Sequence, residues 1–276
     1  MKINNFQKAT YNPEEHNISN TLRYIAVFQL KYFSDIIMKQ TKEAFNILCE
    51  CEASVESILN KEISIKFDKI TLKNRVFVSF HAEKIIFSTT GNTNVDCVAI
   101  LTAATAFLSE ATGKAIFLTG YITYGHFYLH EERQIMCGKP YVIANQFAEN
   151  IKINGIVCDK IIKQNLEEAR LFTKDDSLFS QLGKSLIFDW DVPVDGSLIQ
   201  GGIIKKEMFV IDWPRYSLDI FEAIRSYTVE EFYAPFQHIH GNLETLDHEK
   251  RMYIDETLLF LNHCLSKSVS LFNSTI

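Results

Sequence analysis

Along the chain the spacing of apolar residues changes several times, and the changes mark the elements. Thr21–Gln29 (TLRYIAVFQ) is apolar and β-prone, whereas from Phe33 the spacing becomes helical, with Ile36, Ile37, Phe45, Ile47 and Leu48 as inward positions. A strand followed by a helix is predicted. Ser64–Thr71, Val76–His81 and Ile85–Thr89 are short and rich in Val, Ile and Phe, with polar interruptions at Lys73–Asn74 and Ala82–Glu83 that suit turns. They read as a β-meander. After the punctuation of Gly91–Asn94, Val95–Ala111 contains no Gly or Pro and predicts a well-packed helix. Ala115–Phe117 and Gly120–Tyr128 then predict strand structure ending at a charged tip, Glu131–Arg133, with Ile135–Cys137 returning. Pro140 precedes a helical pattern over Tyr141–Lys152 with Val142, Ile143, Phe147 and Ile151 inward, and Ile156–Asp159 predicts a short strand.

This order, with helices interleaved among short strands, is that of an α+β domain whose antiparallel-dominated sheet is covered by helices. From Asp175 to Pro214 the pattern loosens. Gly183, Pro193, Gly196, Gly201, Gly202 and Pro214 collect there around short strands such as Lys205–Ile211, suggesting a hairpin added to the sheet. Ser217–Ser270 returns to helical spacing, broken at Pro235 and Gly241, and closes with Glu249–Leu265. The expected division is a core over residues 20–172 and a loop, hairpin and helical extension over 173–276.

Composition narrows the function classes. The 276 residues are 47% hydrophobic and 22% charged, which excludes a disordered or fibrous chain. A net charge of −6 gives no basic footprint for nucleic acid or an anionic membrane. No uninterrupted apolar run reaches the roughly 18 residues of a membrane span, and Met1–Glu15 has no apolar leader core. A soluble, cytoplasmic protein is expected. The six cysteines (Cys49, Cys51, Cys97, Cys137, Cys158, Cys264) lack C-x-x-C spacing and read as reduced, mostly buried thiols.

Dinucleotide, P-loop, metalloprotease and hydrolase signatures are absent. Three segments carry more information: Tyr24–Ile37 (YIAVFQLKYFSDII), Val76–Ser88 (VFVSFHAEKIIFS) and Leu118–Tyr128 (LTGYITYGHFY), followed by Gly138-Lys-Pro and a helix. In this order they resemble the catalytic core of class III nucleotide cyclases, and most closely the bacterial branch with the cytidylate and uridylate cyclases of antiphage signalling. The resemblance covers Tyr24 to Asp159 and implies a ferredoxin-like core. It also implies a chemistry: a ribose 3′-hydroxyl attacks the α-phosphate of a nucleoside triphosphate, with Mg²⁺ or Mn²⁺ held by two carboxylates.

The resemblance places those two metal acids at Gln29 and Glu83. Gln29 supplies a neutral amide, and Glu83 keeps the charge one methylene further out. The turn glycine of the family becomes Tyr32, and Asp35 is the nearest spare carboxylate for a metal. Lys31 and Lys84 are candidates for substrate phosphate, as is Lys139. Thr119 stands where the family opens its later strand with Arg, and Val142 and Gln146 occupy the places of its helix Asn and Arg. These substitutions imply a degenerate cyclase, a pseudocyclase that binds a nucleoside triphosphate or cyclic nucleotide, or serves a related cyclase as homodimer or heterodimer partner. Two other readings stay open. One is an active cyclase using Glu83 and Asp35, and the other is a structural or interaction protein docking through Glu249–Leu265.

A rival metal cluster can be drawn from His126, His130, Glu131 and Glu132, with His238-x-His240 as a second pair. Residues four apart on a strand stand about 13 Å apart, so one ion cannot bridge His126 and His130 without a bend.

Overall fold

The computed structural model describes residues 19–65, 68–130, 135–170, 186–196, 202–216 and 226–273. Its centre is β1 (Ser19–Leu30), in which Tyr24 to Phe28 are each at most 1% exposed. That continuous burial is why the segment reads as an unbroken apolar run: a central strand is covered on both faces. Two helices follow, α1 (Phe33–Lys39) and α2 (Thr41–Leu59), separated at Gln40, where one continuous helix was expected. The predicted strand at Ser64–Thr71 falls within a separate hairpin, β2 (Glu62–Ile65) and β3 (Asp68–Thr71), with residues 66 and 67 outside the described residues. β4 (Val76–His81) and β5 (Lys84–Thr89) form the next hairpin, turning through Ala82 and Glu83.

The helix α3 (Asn94–Gly113) starts from a capping box in which Thr93 accepts from the Asp96 N–H and the Asp96 carboxylate accepts from the Thr93 N–H. It is apolar on every side because every side is covered, and it is long and apolar enough to cross a membrane; 89% of its most apolar stretch is buried inside the body. β6 (Leu118–His130) pairs with β1 along twelve residues, from Ser19↔Leu129 to Leu30↔Leu118, and with β7 (Ile135–Cys137). α4 (Lys139–Asn150), β8 (Gly155–Cys158) and α5 (Lys160–Arg170) complete this part.

Among the described residues the sheet has eight strands. Its path is β4-β5-β1-β6-β8, continuing into β10 (Ile203–Ile211) and β9 (Ile187–Asp195), while β7 joins β6. All pairs are antiparallel except β6 with β8. The stretch β4-β5-β1-β6 with its intervening helices is the split βαβ arrangement of a ferredoxin-like core. The α+β fold with a mostly antiparallel sheet is therefore as expected, and the hairpin of the extension lies in the same sheet. Short helices α6 (Trp213–Tyr216), α7 (Val229–Tyr233) and α8 (Gln237–His240) lead to the long α9 (His248–Asn273), whose Tyr253, Ile254, Phe260 and Leu261 are buried.

Asn154 ties the extension to the core. Its Oδ1 accepts from Leu118 N at 2.7 Å and its Nδ2 donates to Thr112 Oγ1 at 2.8 Å. Its own N–H donates to Thr257 Oγ1 at 2.9 Å, and its carbonyl accepts from Trp213 Nε1 at 3.2 Å. A buried amide hydrogen-bonded in this way fixes how four elements meet.

Some inward predictions fail for a simple reason. Phe45 is 65% exposed, Ile37 is 37% exposed and Val142 is 52% exposed, because these helices bury a narrower stripe than their apolar content suggests; Ile36, Ile47 and Ala144 do the packing. All six cysteines are free thiols; Cys49 and Cys137 are exposed and the other four are buried.

Candidate functional site

The corner at the end of β1 is assembled by backbone hydrogen bonds. Leu30 N donates to Glu83 O at 2.8 Å and Lys31 N to Phe117 O at 2.9 Å, so the β4–β5 turn and the start of β6 are fastened to the β1–α1 turn. Gln29 sits opposite Lys84 on one side and Thr119 on the other. Tyr32, which precedes α1, has φ 60°, ψ 17°. A bulky side chain in this left-handed region is strained, and a glycine would relieve it. The ring is retained by packing, with centroids 5.7 Å from Tyr253 and 6.5 Å from Phe117, and the Lys250 ammonium lies 5.1 Å from its centre.

These elements surround a cleft of about 450 Å³ lined by Gln29, Lys31, Tyr32, Asp35 and Glu83 from the core, Glu149 and Lys152 from the end of α4, and Asp247, Glu249 and Lys250 from the extension. Gln29 is 8% exposed; its Nε2 donates to Leu30 O at 3.3 Å, and its buried Oε1 has no hydrogen-bond partner. Lys31 Nζ donates to Ala148 O and Glu149 O, each at 2.8 Å, at the carbonyl end of α4, where a cation is favoured by the helix dipole. Burial and the neighbouring Lys152 ammonium push Lys31 down to about 7, with Glu149, Glu249 and Glu83 pulling the other way.

Most of the acids around the cleft are already paired. Lys84 meets Glu149 at 2.5 Å, Lys152 meets Glu249 at 2.6 Å, and Lys250 meets Asp35 at 2.5 Å and Asp247 at 3.6 Å. The Lys250 hydrogen bond holds the Asp35 carboxyl below the usual range, against the opposing effect of burial. Three lysines face five carboxylates in the lining, so the cleft is net negative.

The sequence candidates divide accordingly. Gln29, Glu83, Lys31 and Asp35 share the cleft, and Lys84 borders it through Glu149. Thr119 does not reach it: the side chain is fully buried, donates to Ile153 O at 2.8 Å and lies 3.3 Å from Tyr253 Oη, beneath α9. Gln146 and Val142 are exposed on α4 and do not line the cleft. Lys152, Glu249 and Lys250 are the residues sequence reasoning missed. Nothing in local spacing marks them, since they arrive from the end of α4 and the first turn of α9.

The rival histidine cluster does not form among the described residues. His126 is exposed and His130 buried, while Glu131 and Glu132 lie outside the described residues. His238 Nδ1 lies 2.7 Å from Pro235 O, whereas His240 packs its ring 4.8 Å from Phe117. No group of three or more His, Cys, Asp or Glu side chains suited to a metal ion occurs among the described residues.

No protein-family profile and no curated protein matches the sequence. Solved structures do resemble the chain. The catalytic core of a rhodopsin-guanylyl cyclase with converted specificity, in complex with ATPαS, aligns at 10% identity and a TM-score of 0.46 over 71% of this chain and 97% of that one. A class III adenylyl cyclase-like ATP-binding protein from Pseudomonas aeruginosa aligns at 15% identity and a TM-score of 0.42, over 54% of this chain and 35% of that one. A bacterial light-regulated adenylyl cyclase aligns at 10% identity and a TM-score of 0.45, over 76% of this chain and 57% of that one.

Proposed function

We propose that this protein is a catalytically silent, cyclase-like module that acts as a regulatory or partner subunit in bacterial signalling rather than by turning over nucleotide. The observation that carries this reading is the donor set at the β1 corner. Of the two positions where the resemblance to class III cyclases implies metal acids, Gln29 offers a neutral amide and only Glu83 a carboxylate. Asp35, the nearest substitute, is engaged by Lys250.

Hard divalent ions favour anionic oxygen, and two such ions beside a triphosphate require more free carboxylate than this corner offers. The donor set therefore does not fit a two-metal centre. A metal-free triphosphate fares no better. Its negative charge enters a lining whose five carboxylates outnumber the lysines, even with Lys84 counted as the partner of Glu149. Catalytic silence and weak triphosphate affinity follow from the same arithmetic, which leaves the surface of the fold to carry the function.

Incubation of the purified chain with ATP, GTP, CTP or UTP and Mn²⁺ or Mg²⁺, followed by mass spectrometry, tests the proposal. We expect no cyclic mononucleotide above a protein-free blank. Cyclic product that disappears in Glu83→Ala would establish the opposite reading, an active enzyme with rearranged ligands.

A further inference from the structure

The sheet has two rims, and they are finished differently. At the β9 rim, Pro193 removes a backbone donor, and Asp189, Asp191 and Asp195 place charge on the strand. The chain also returns to that strand: Ile151 bridges Val194, and Lys152 N donates to Pro193 O at 2.8 Å. These are ordinary devices for keeping a sheet edge from recruiting another strand. Among the described residues the β4 rim has none of them. Its sequence, VFVSFH, carries no proline, lysine or carboxylate, and β4 ends the sheet path.

The pairing register shows which backbone groups are left over. Thr90 N donates to Arg75 O at 2.9 Å, continuing the register Val76↔Thr89 through His81↔Lys84. In an antiparallel pair the bonded positions alternate, so Arg75, Phe77, Ser79 and His81 bond to β5. Val76, Val78 and Phe80 turn their N–H and C=O groups outward, and among the described residues none of these groups has a backbone partner beyond the β5 pairing.

A groove of about 550 Å³ runs between this rim and α2, floored by Val55 and Leu59 of the helix and by Val76, Val78 and Phe80 of the strand. Glu52 and Glu56 stand exposed on its helical wall and form no ion pair among the described residues. Lys73 marks the end near Val76, its Nζ 3.5 Å from Asn60 Oδ1 at the end of α2. The groove thus offers unpaired strand hydrogen bonds, an apolar floor, and opposite charges on its wall and at one end.

We propose that this groove binds an extended peptide strand of a partner protein, added antiparallel to β4, with apolar side chains toward α2 and a lysine or arginine reaching Glu52 and Glu56. Antiparallel addition brings the C-terminal end of that strand to Lys73, where a carboxylate is matched. Main-chain bonds provide the affinity, and the acidic wall with the lysine at one end provides the direction, the recognition mode of strand addition. The site is separate from the β1 corner and does not depend on whether that corner is silent.

The probe is a fluorescein-labelled nonapeptide alternating valine with lysine and threonine, with a free C-terminal carboxylate, read by anisotropy against a twin carrying glutamate for lysine. The lysine peptide should bind at least about tenfold more tightly than its twin, and Glu52→Lys with Glu56→Lys should reverse that order. Val78→Pro removes one outward donor without breaking a bond to β5, and should weaken binding by about tenfold or more while the thermal midpoint stays near wild type. Hydrogen exchange should slow at Val76, Val78 and Phe80 when peptide is bound. Binding that ignores both Val78→Pro and the charge reversal would overturn the proposal, as would no binding at about 1 mM peptide. A dimer dissolved by Val78→Pro in the absence of peptide binding would assign the rim to a second copy of the chain and likewise overturn it.

Discussion

At Gln29 an amide oxygen is buried without a partner while the amide nitrogen makes one long bond to Leu30 O at 3.3 Å. Leaving such an acceptor unpaired costs about 1–3 kcal/mol. Gln29→Asp places a carboxylate at the same depth beside Glu83, one methylene shorter. Mn²⁺ affinity measured by electron paramagnetic resonance should rise about tenfold or more over wild type; unchanged affinity would show that these two side chains do not address one ion. His240 provides a second readout of this region. Burial, chiefly, and the Lys250 and His238 charges hold it down to about 4, against the Ala115 backbone and Asp35. An unfolded histidine titrates near about 6.5, so between these values the unfolded chain binds a proton that the folded chain refuses. Stability should fall as pH drops through that window. His240→Phe keeps the ring against Phe117 and should flatten the dependence of thermal midpoint on pH between about 6.5 and 4. A slope unchanged by this substitution would remove His240 as its source. Tyr32 shows what single-residue reading misses: the tyrosine is visible in the sequence, but its left-handed backbone and its aromatic support are not.

Among the elements, β1 and α3 were legible because burial on every side leaves a continuous apolar run. The split between α1 and α2 was not, since both carry helical spacing and only the geometry at Gln40 separates them. The β6 strand shows how a local residue choice serves packing. A Cβ added at Gly120 would stand 2.7 Å from Phe28 Cε1 and 2.9 Å from its Cδ1, so the ring lies directly on the strand backbone. That ring is wedged against Phe87 and Phe107, with centroids 5.2 Å away in each case. Gly120→Ala should therefore cost about 2 kcal/mol through overpacking, read as a lower urea midpoint with unchanged slope. Adding Phe28→Leu should give a double variant less destabilised than the two single effects combined; simple additivity would mean that the contact is not the cause.

For the molecule as a whole, the consequence of the corner is thermodynamic. A ligand that binds only the folded state raises its thermal midpoint by mass action. ATP or GTP with Mg²⁺ at about 100 times a micromolar dissociation constant would add about 2.7 kcal/mol, and this chain should show no such gain. A clear nucleotide-dependent shift would return the corner to service as a binding site. The order of elements along the chain, the α+β class, and the placing of Gln29 near the end of a strand and Glu83 in a turn were within reach of the sequence, because hydrophobic period and turn chemistry are local. What closes the corner was out of reach. Lys250 meets Asp35 across 215 positions of the chain, and Lys31 bonds to Ala148 O across 117. The sequence by itself determined that position 29 carries an uncharged amide, for that is a matter of residue identity. Only the tertiary structure decided that Asp35, Glu149 and Glu249 are held by lysines, and that Thr119 lies under α9, because charge pairing acts through space between segments that no local pattern connects.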